Sequence, residues 1–250
     1  MRLSDALRIP RGITAAIGGG GKSTLLRMLA DELTEQGTVL ITTTTHIWAP
    51  AENLLTNPTR ASIRHALTTT RLLTVGDPSP EGKLAAPGAL HGDFSGLADY
   101  VLVEADGSRG LPLKAPAEHE PVLPAGTELV IAVAGMRCVG MALADAVHRP
   151  ERYARLTGLA PDALVTPDAV ARVLCHPEGQ RKGVTGRFAI MLNQADTPER
   201  LAFARAVARL TPGEVWITAL QTRPGWLEGW LDGKPIAPGM DKEGKPCWLC

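Results

Sequence analysis

Apolar residues along this chain fall into short unbroken runs separated by amphipathic stretches. Ile13–Ile17 is a compact apolar run that ends in four consecutive glycines, Gly18–Gly21, and it predicts a buried strand. Over Lys22–Gln36, Leu25, Leu26, Leu29 and Leu33 share one helical face, and Gly37 follows as a stop. Thr38–Thr43 returns as a β-branched strand, Pro58–Leu67 predicts a helix, and Leu72–Val75 a short strand before a Gly/Pro-rich excursion through Gly92. Tyr100–Ala105 and Glu128–Ala134 lack alternation, as strands covered on both faces do. Thr166, Pro167 and Asp168 suit the opening of a helix, as N-cap, first turn and dipole partner. Phe188–Leu192 reads as a strand, Pro198–Leu210 as a helix and Val215–Ala219 as the last strand; Trp226 and Trp230, four apart, read as a helical packing stripe. The alternation predicts an α/β fold with a mostly parallel central sheet and helices on both faces. No internal repeat or composition shift divides the chain, so residues 1–250 are expected to form a single domain, with 221–250 as a C-terminal extension.

With 44% hydrophobic residues the chain can bury a sizeable core, which excludes global disorder. Lys+Arg 26 balances Asp+Glu 26, so no general electrostatic footprint for nucleic acid is present. Apolar runs such as Leu129–Ala134 fall far short of the roughly 20 residues of a membrane span, and Met1–Arg11 lacks the apolar core of a signal peptide. Four cysteines, Cys138, Cys175, Cys247 and Cys250, do not make a disulfide scaffold in a chain this long. The expectation is a cytoplasmic protein with no membrane or nucleic-acid partner.

The strongest local signal is Ile17-Gly-Gly-Gly-Gly-Lys-Ser-Thr24, placed between a predicted strand and a predicted helix. A helix start presents unpaired N–H groups and partial positive charge, and glycines let the backbone wrap phosphate oxygens. Gly18, Gly19, Gly20 and Gly21 would cradle the phosphates, Lys22 would neutralise them, and Ser23, followed by Thr24, would hold Mg²⁺. The G-x-x-x-x-G-K-[ST] template asks for glycine where this chain has Ala16, so the bend is expected to begin at Gly18. Val101-Leu-Val-Glu-Ala-Asp-Gly107 supplies the carboxylates that such a loop requires: Glu104 and Asp106, on one side of an extended strand, for the metal or the attacking water. Arg109 and Lys114 follow in a loop, where Arg109 could stabilise phosphate charge, although solvated loop cations are commoner. Thr42–Thr45 and His46 end another strand and could meet phosphate or a metal-bound water, or serve only as strand formers.

Asn193-Gln-Ala-Asp196 is one residue away from the N-K-x-D arrangement of guanine-binding proteins. The Asp196 carboxylate can accept from two guanine donors that adenine lacks, while Asn193 can bond the base edge and pin the loop. GTP is therefore favoured over ATP. Cys247 and Cys250 form one C-x-x-C pair, two ligands short of a soft-metal site unless a homodimer completes it. Glu118-His-Glu120, Cys175-His176 and the cations Arg181, Lys182 and Arg187 read as loop or helix-end residues.

Together, the glycine loop, Thr42-Thr-Thr-Thr-His46, Val103-Glu-Ala-Asp-Gly-Ser-Arg-Gly110, the Leu-Pro-Leu-Lys-Ala-Pro run after it and Leu192-Asn-Gln-Ala-Asp196 resemble the YqeC-like accessory proteins of selenium-dependent molybdenum hydroxylases, over about Ile13 to Leu220. The resemblance implies a P-loop nucleotide-binding protein tied to maturation of a molybdenum hydroxylase, its protein client. The plan is more loosely similar to GTPases that help insert nickel into enzymes. A Mg²⁺-dependent GTPase, catalysing through Lys22, Glu104, Asp106 and Arg109, is the leading expectation. An ATP-dependent kinase or ligase acting on a small cofactor precursor, and a nucleotide-regulated binding protein without turnover, stand beside it.

Overall fold

The alternation of apolar runs resolves, in a computed structural model, into the two faces of one sheet. The structure describes residues 2–236 and, beyond them, the backbone of Gly239–Met240 and Pro246–Cys247. In chain order the strands are β1 (Gly12–Gly18), β2 (Val39–Thr43), β3 (His46–Trp48), β4 (Leu54–Thr56), β5 (Leu72–Ser79), β6 (Lys83–Ala85), β7 (Tyr100–Glu104), β8 (Leu113–Lys114), β9 (Thr127–Gly135), β10 (Val147–His148), β11 (Arg187–Asn193), β12 (Glu214–Thr218), β13 (Leu227–Leu231) and β14 (Lys234–Ile236). The helices are α1 (Leu3–Ala6), α2 (Lys22–Leu33), α3 (Arg60–Ala66), α4 (Leu143–Ala146), α5 (Pro150–Thr157), α6 (Pro167–Cys175) and α7 (Pro198–Leu210). Among the described residues no helix is long and apolar enough to cross a membrane.

The main sheet runs β14-β13-β12-β11-β9-β1-β7-β2-β5-β6-β3, with β4 beside β5. All pairs from β12 to β5, and β4 on β5, are parallel, while the outer pairs at both ends are antiparallel. Side-chain alternation sorts the core. Ile13, Ala15 and Ile17 of β1 join Val130, Ala132 and Ile190 under α3, α6 and α7, whereas Ala16 joins Leu102, Ile131, Met191 and Trp216 under α1 and α2. The expected α/β architecture with helices on both faces is the one observed.

The chain leaves β1 through α2 to β2 and β5, returns to β7 beside β1, and then crosses to β9 on the other side. This reversal gathers the C-terminal ends of β1, β7 and β9 at a topological switch point, where open α/β sheets form their crevices.

Two sequence expectations are corrected. Trp230 lies in β13, antiparallel to β12, and Trp226 directly precedes it. A spacing of four keeps residues on one face of a strand as well as of a helix, and the Asp232-Gly233 turn, both with positive φ, closes a hairpin. Arg187 is no solvated loop cation. It opens β11, and its guanidinium donates to the buried Glu214 at 2.6 and 2.7 Å and to the Leu7 carbonyl at 2.7 Å, tying the N-terminal segment to the sheet. Lys182 is also engaged, donating to the carbonyls of Ala117 and Glu118.

Because Glu214 is only 8% exposed, Arg187→Met leaves its carboxylate short of its main partner. The expected loss is about 3 kcal/mol of unfolding free energy, read as a lower urea midpoint at unchanged denaturant slope.

Candidate functional site

The first turn of α2 carries no side-chain cap, its N-cap being Gly21 at φ 123. Of the other helices, α3, α6 and α7 are each capped by a threonine hydroxyl, whereas α1, α4 and α5 have no side-chain cap. Among the described residues no group accepts from the amides of Gly20, Gly21, Lys22, Ser23 or Thr24, the donors that a helix start leaves over. They border a cleft of about 700 Å³ lined by Gly20–Thr24, His46–Trp48, Lys83, Glu104, Gly107–Gly110 and Gln194.

The turn is fixed by its neighbours. Its first positive φ is at Gly18, where the sequence placed the bend, and a Cβ there would sit 2.2 Å from the Val133 carbonyl oxygen. At Gly20, φ is +83 and a Cβ would meet the Gly135 Cα at 2.4 Å. Ala16, where the template asks for glycine, is ordinary strand paired with Glu104 and Ile131, so a methyl is harmless. Gly19 donates its amide to the Val133 carbonyl.

Glu104 ends β7 and Asp106 follows two residues later, so both carboxylates reach Lys22. The Lys22 ammonium is buried, donates to the Gly18 carbonyl at 2.7 Å, and lies 3.2 Å from Asp106 and 3.6 Å from Glu104. Burial works against its charge, but the two carboxylates outweigh burial and hold its pKa above the ordinary lysine value. Burial lifts the Glu104 carboxyl above the usual range, against the pull of Lys22 and of the Ser23 hydroxyl, which donates to it at 2.8 Å. Glu104 lines the cleft, whereas Asp106 is fully buried and accepts from the Gly18 amide with both oxygens at 3.0 Å.

Lys114 is not solvated either. Its ammonium is enclosed among Asp106 at 3.2 Å, Glu120 at 2.9 Å and the Gly107 carbonyl at 2.6 Å, and Arg149 caps Glu120 at 2.6 Å. Burial and the Arg149 and Lys114 cations hold the His148 imidazole below its usual range, and its Nδ1 donates to Gly107 at 3.1 Å. Sequence reading missed this network; apolar Leu113 and Ala115 on either side of Lys114 were the one available hint.

The remaining candidates are spread around the cleft. Arg109 is exposed on its rim at φ 52, and His46 also faces it. The Thr42 and Thr43 hydroxyls are used internally, on the carbonyls of Val75 and Glu104. Asn193 is buried with its carboxamide engaged: it donates to the Gly20 carbonyl at 2.8 Å and accepts from the Thr218 hydroxyl and the Leu220 amide at 3.1 Å. Asp196 lies outside the cleft lining and accepts from Arg200 at 2.6 Å. Among the described residues there is no cluster of three or more His, Cys, Asp or Glu able to hold a metal, so Glu118-His-Glu120 and Cys175-His176 form none. Cys250 lies outside the described residues, and of Cys247 only the backbone pairing with Gly239 is described.

Burial alone would raise the Glu120 carboxyl, but Lys114, the Ala117 amide and Arg149 push it down from 4.5 to about 2. A depressed carboxylate stabilises the fold above its unfolded pKa, and this contribution fades as pH falls from about 4.5 toward 2. Urea melts across that window are expected to show a steeper acid loss for wild type than for Glu120→Gln.

The sequence profile described as "YqeC protein" matches residues 14–151, which include the glycine turn, both carboxylates and the Lys114–Glu120–Arg149 network. The chain is also 36% identical over 183 residues to the "Uncharacterized protein YqeC" of Escherichia coli (strain K12), covering 69% of this chain and 71% of that protein. By both measures the chain belongs to the YqeC family.

Proposed function

We propose that this protein binds a nucleoside triphosphate with Mg²⁺, with GTP preferred, and hydrolyses it as an accessory factor in maturing a selenium-dependent molybdenum hydroxylase. The observation that carries the nucleotide reading is the uncapped start of α2, with five amides free of acceptors at a 700 Å³ cleft that also holds Lys22 and Glu104. An apolar or cationic occupant would leave those donors unanswered; a polyphosphate answers them. The maturation role rests on the family resemblance alone.

The Ser23 hydroxyl and Glu104 carboxylate, 2.8 Å apart, are the hard oxygen donors that suit Mg²⁺. With so few protein ligands the ion would be held jointly with phosphate oxygens, neutralising charge there. Lys22 neutralises the outer phosphates, Gly18–Gly21 and Thr24 hold them through the backbone, and Arg109 meets developing charge from the rim. Glu104, which faces the cleft, orients the attacking water. Asp106, enclosed by Gly18, Lys22 and Lys114, keeps the turn and the lysine in place. Asn193 pins the Gly20 carbonyl, and Asp196, released from Arg200, reads the guanine donors.

Calorimetry of the full chain with Mg²⁺ is expected to show saturable GTP binding, weaker ATP binding, and roughly 10- to 100-fold loss of GTP affinity in Asp196→Asn with a gain for xanthosine triphosphate. Ser23→Ala should reduce the Mg²⁺-dependent part of the affinity by about tenfold. Absence of binding by either nucleotide overturns the reading, and ATP binding equal to GTP binding overturns the base assignment.

A further inference from the structure

A second cavity of about 430 Å³ adjoins the cleft and shares with it Ser23, Thr24, Ile47, Trp48 and Glu104. Its floor is sheet: Leu72 and Thr74, two apart on one face of β5, beside Ile41 of β2, which is in register with Thr74. Leu26, Arg27 and Asp31 of α2 form one wall, and the segment from Ile47 through Asn53 forms the other. That second wall is anchored where the Thr74 amide donates to the Asn53 carbonyl at 2.7 Å.

Thr74 is 6% exposed, and among the described residues its hydroxyl, on the cavity wall, has no hydrogen-bond partner. That hydroxyl opens onto the cavity with no protein partner, so an occupant can offer it a hydrogen bond in place of water. The volume suits a small molecule and excludes a folded partner. Charge then narrows the class. The phosphate cleft sets Lys22, Lys83 and Arg109 against Glu104, but the second cavity sets only Arg27 against Asp31, Glu52 and Glu104. Adjoining cavities of opposite charge take different ligands. The exposed indole of Trp48, whose ring holds the Lys83 ammonium 4.8 Å from its centroid, adds a flat aromatic surface on which a planar ligand can stack.

We infer that this cavity is a binding site for a small, flat organic cation, seated on Leu72 and Ile41 with its N–H groups toward Thr74 and the carboxylates. It lies one wall away from the phosphate cleft, as the site of a second substrate or effector would.

Benzamidine is the probe, with benzoate as the same ring carrying the opposite charge. An NMR titration of the labelled full chain without nucleotide is expected to give saturable benzamidine shifts at Ile41, Leu72 and Thr74, with benzoate at least about tenfold weaker. Thr74→Val should weaken benzamidine about fivefold by removing the hydroxyl alone, and Thr74→Phe should fill the cavity and abolish the shifts. Should the larger residue prevent folding, the valine variant decides. Equal binding of benzoate, shifts centred elsewhere, unaltered affinity in Thr74→Val, or no saturation by about 10 mM overturns the assignment. Since no nucleotide is present, failure here and failure of nucleotide binding are separate results.

Discussion

The carboxylate of Asp106 is the constraint on which the geometry of the glycine turn depends. It is fully buried, where an unmatched charge would cost several kcal/mol. It is matched on three sides: by the Gly18 amide on both oxygens, by Lys22 and by Lys114. Each partner is thereby placed. The amide fixes where the turn leaves β1, Lys22 is held back along the turn toward the Gly18 carbonyl, and Lys114 draws β8 and the Gly107 carbonyl beneath the rim loop. Lys114 passes the constraint on to Glu120 and Arg149, so the start of α5 is tied to the same charge network.

The glycine turn is held from the opposite side as well. Val133 and Gly135 of β9 leave no room for side chains at Gly18 and Gly20, and Asn193 links the Gly20 carbonyl to Thr218 and Leu220 at the end of β12. A turn fixed by three neighbouring strand ends has little conformational freedom left, so its amides are held in one arrangement. Ser23 and Arg109 remain exposed around it.

Glu104 separates two cavities of opposite character. On one side its carboxylate meets Lys22 and the glycine turn; on the other it faces the apolar floor and acidic rim beneath Trp48. Parallel strands ending at different heights produce this division: β7 ends at Glu104, while β5 runs on past Thr74 to Ser79 and turns back into β6 and β3, which carry Trp48 over both openings.

Local chemistry was enough to read much of this molecule in its sequence. The apolar runs became the central parallel strands, Pro198–Leu210 became a helix with those bounds, and Thr166 capped α6. The glycine turn began at Gly18, and two-residue alternation brought Glu104 and Asp106 to the same lysine. These features depend on residues within a few positions of each other, where period, propensity and turn stereochemistry act directly. Tertiary structure alone decided that Lys114 and Arg187 are held by carboxylates, that Trp230 belongs to a strand, that Asn193 spends its carboxamide on the loop, and that the Thr74 hydroxyl faces a cavity without a partner. Arg187 and Glu214 stand 27 residues apart, and Asn193 and Gly20 173 apart. Such partners are chosen by the order in which strands pack, and burial then makes an unpaired charge or amide too costly to leave; no window along the chain contains that information.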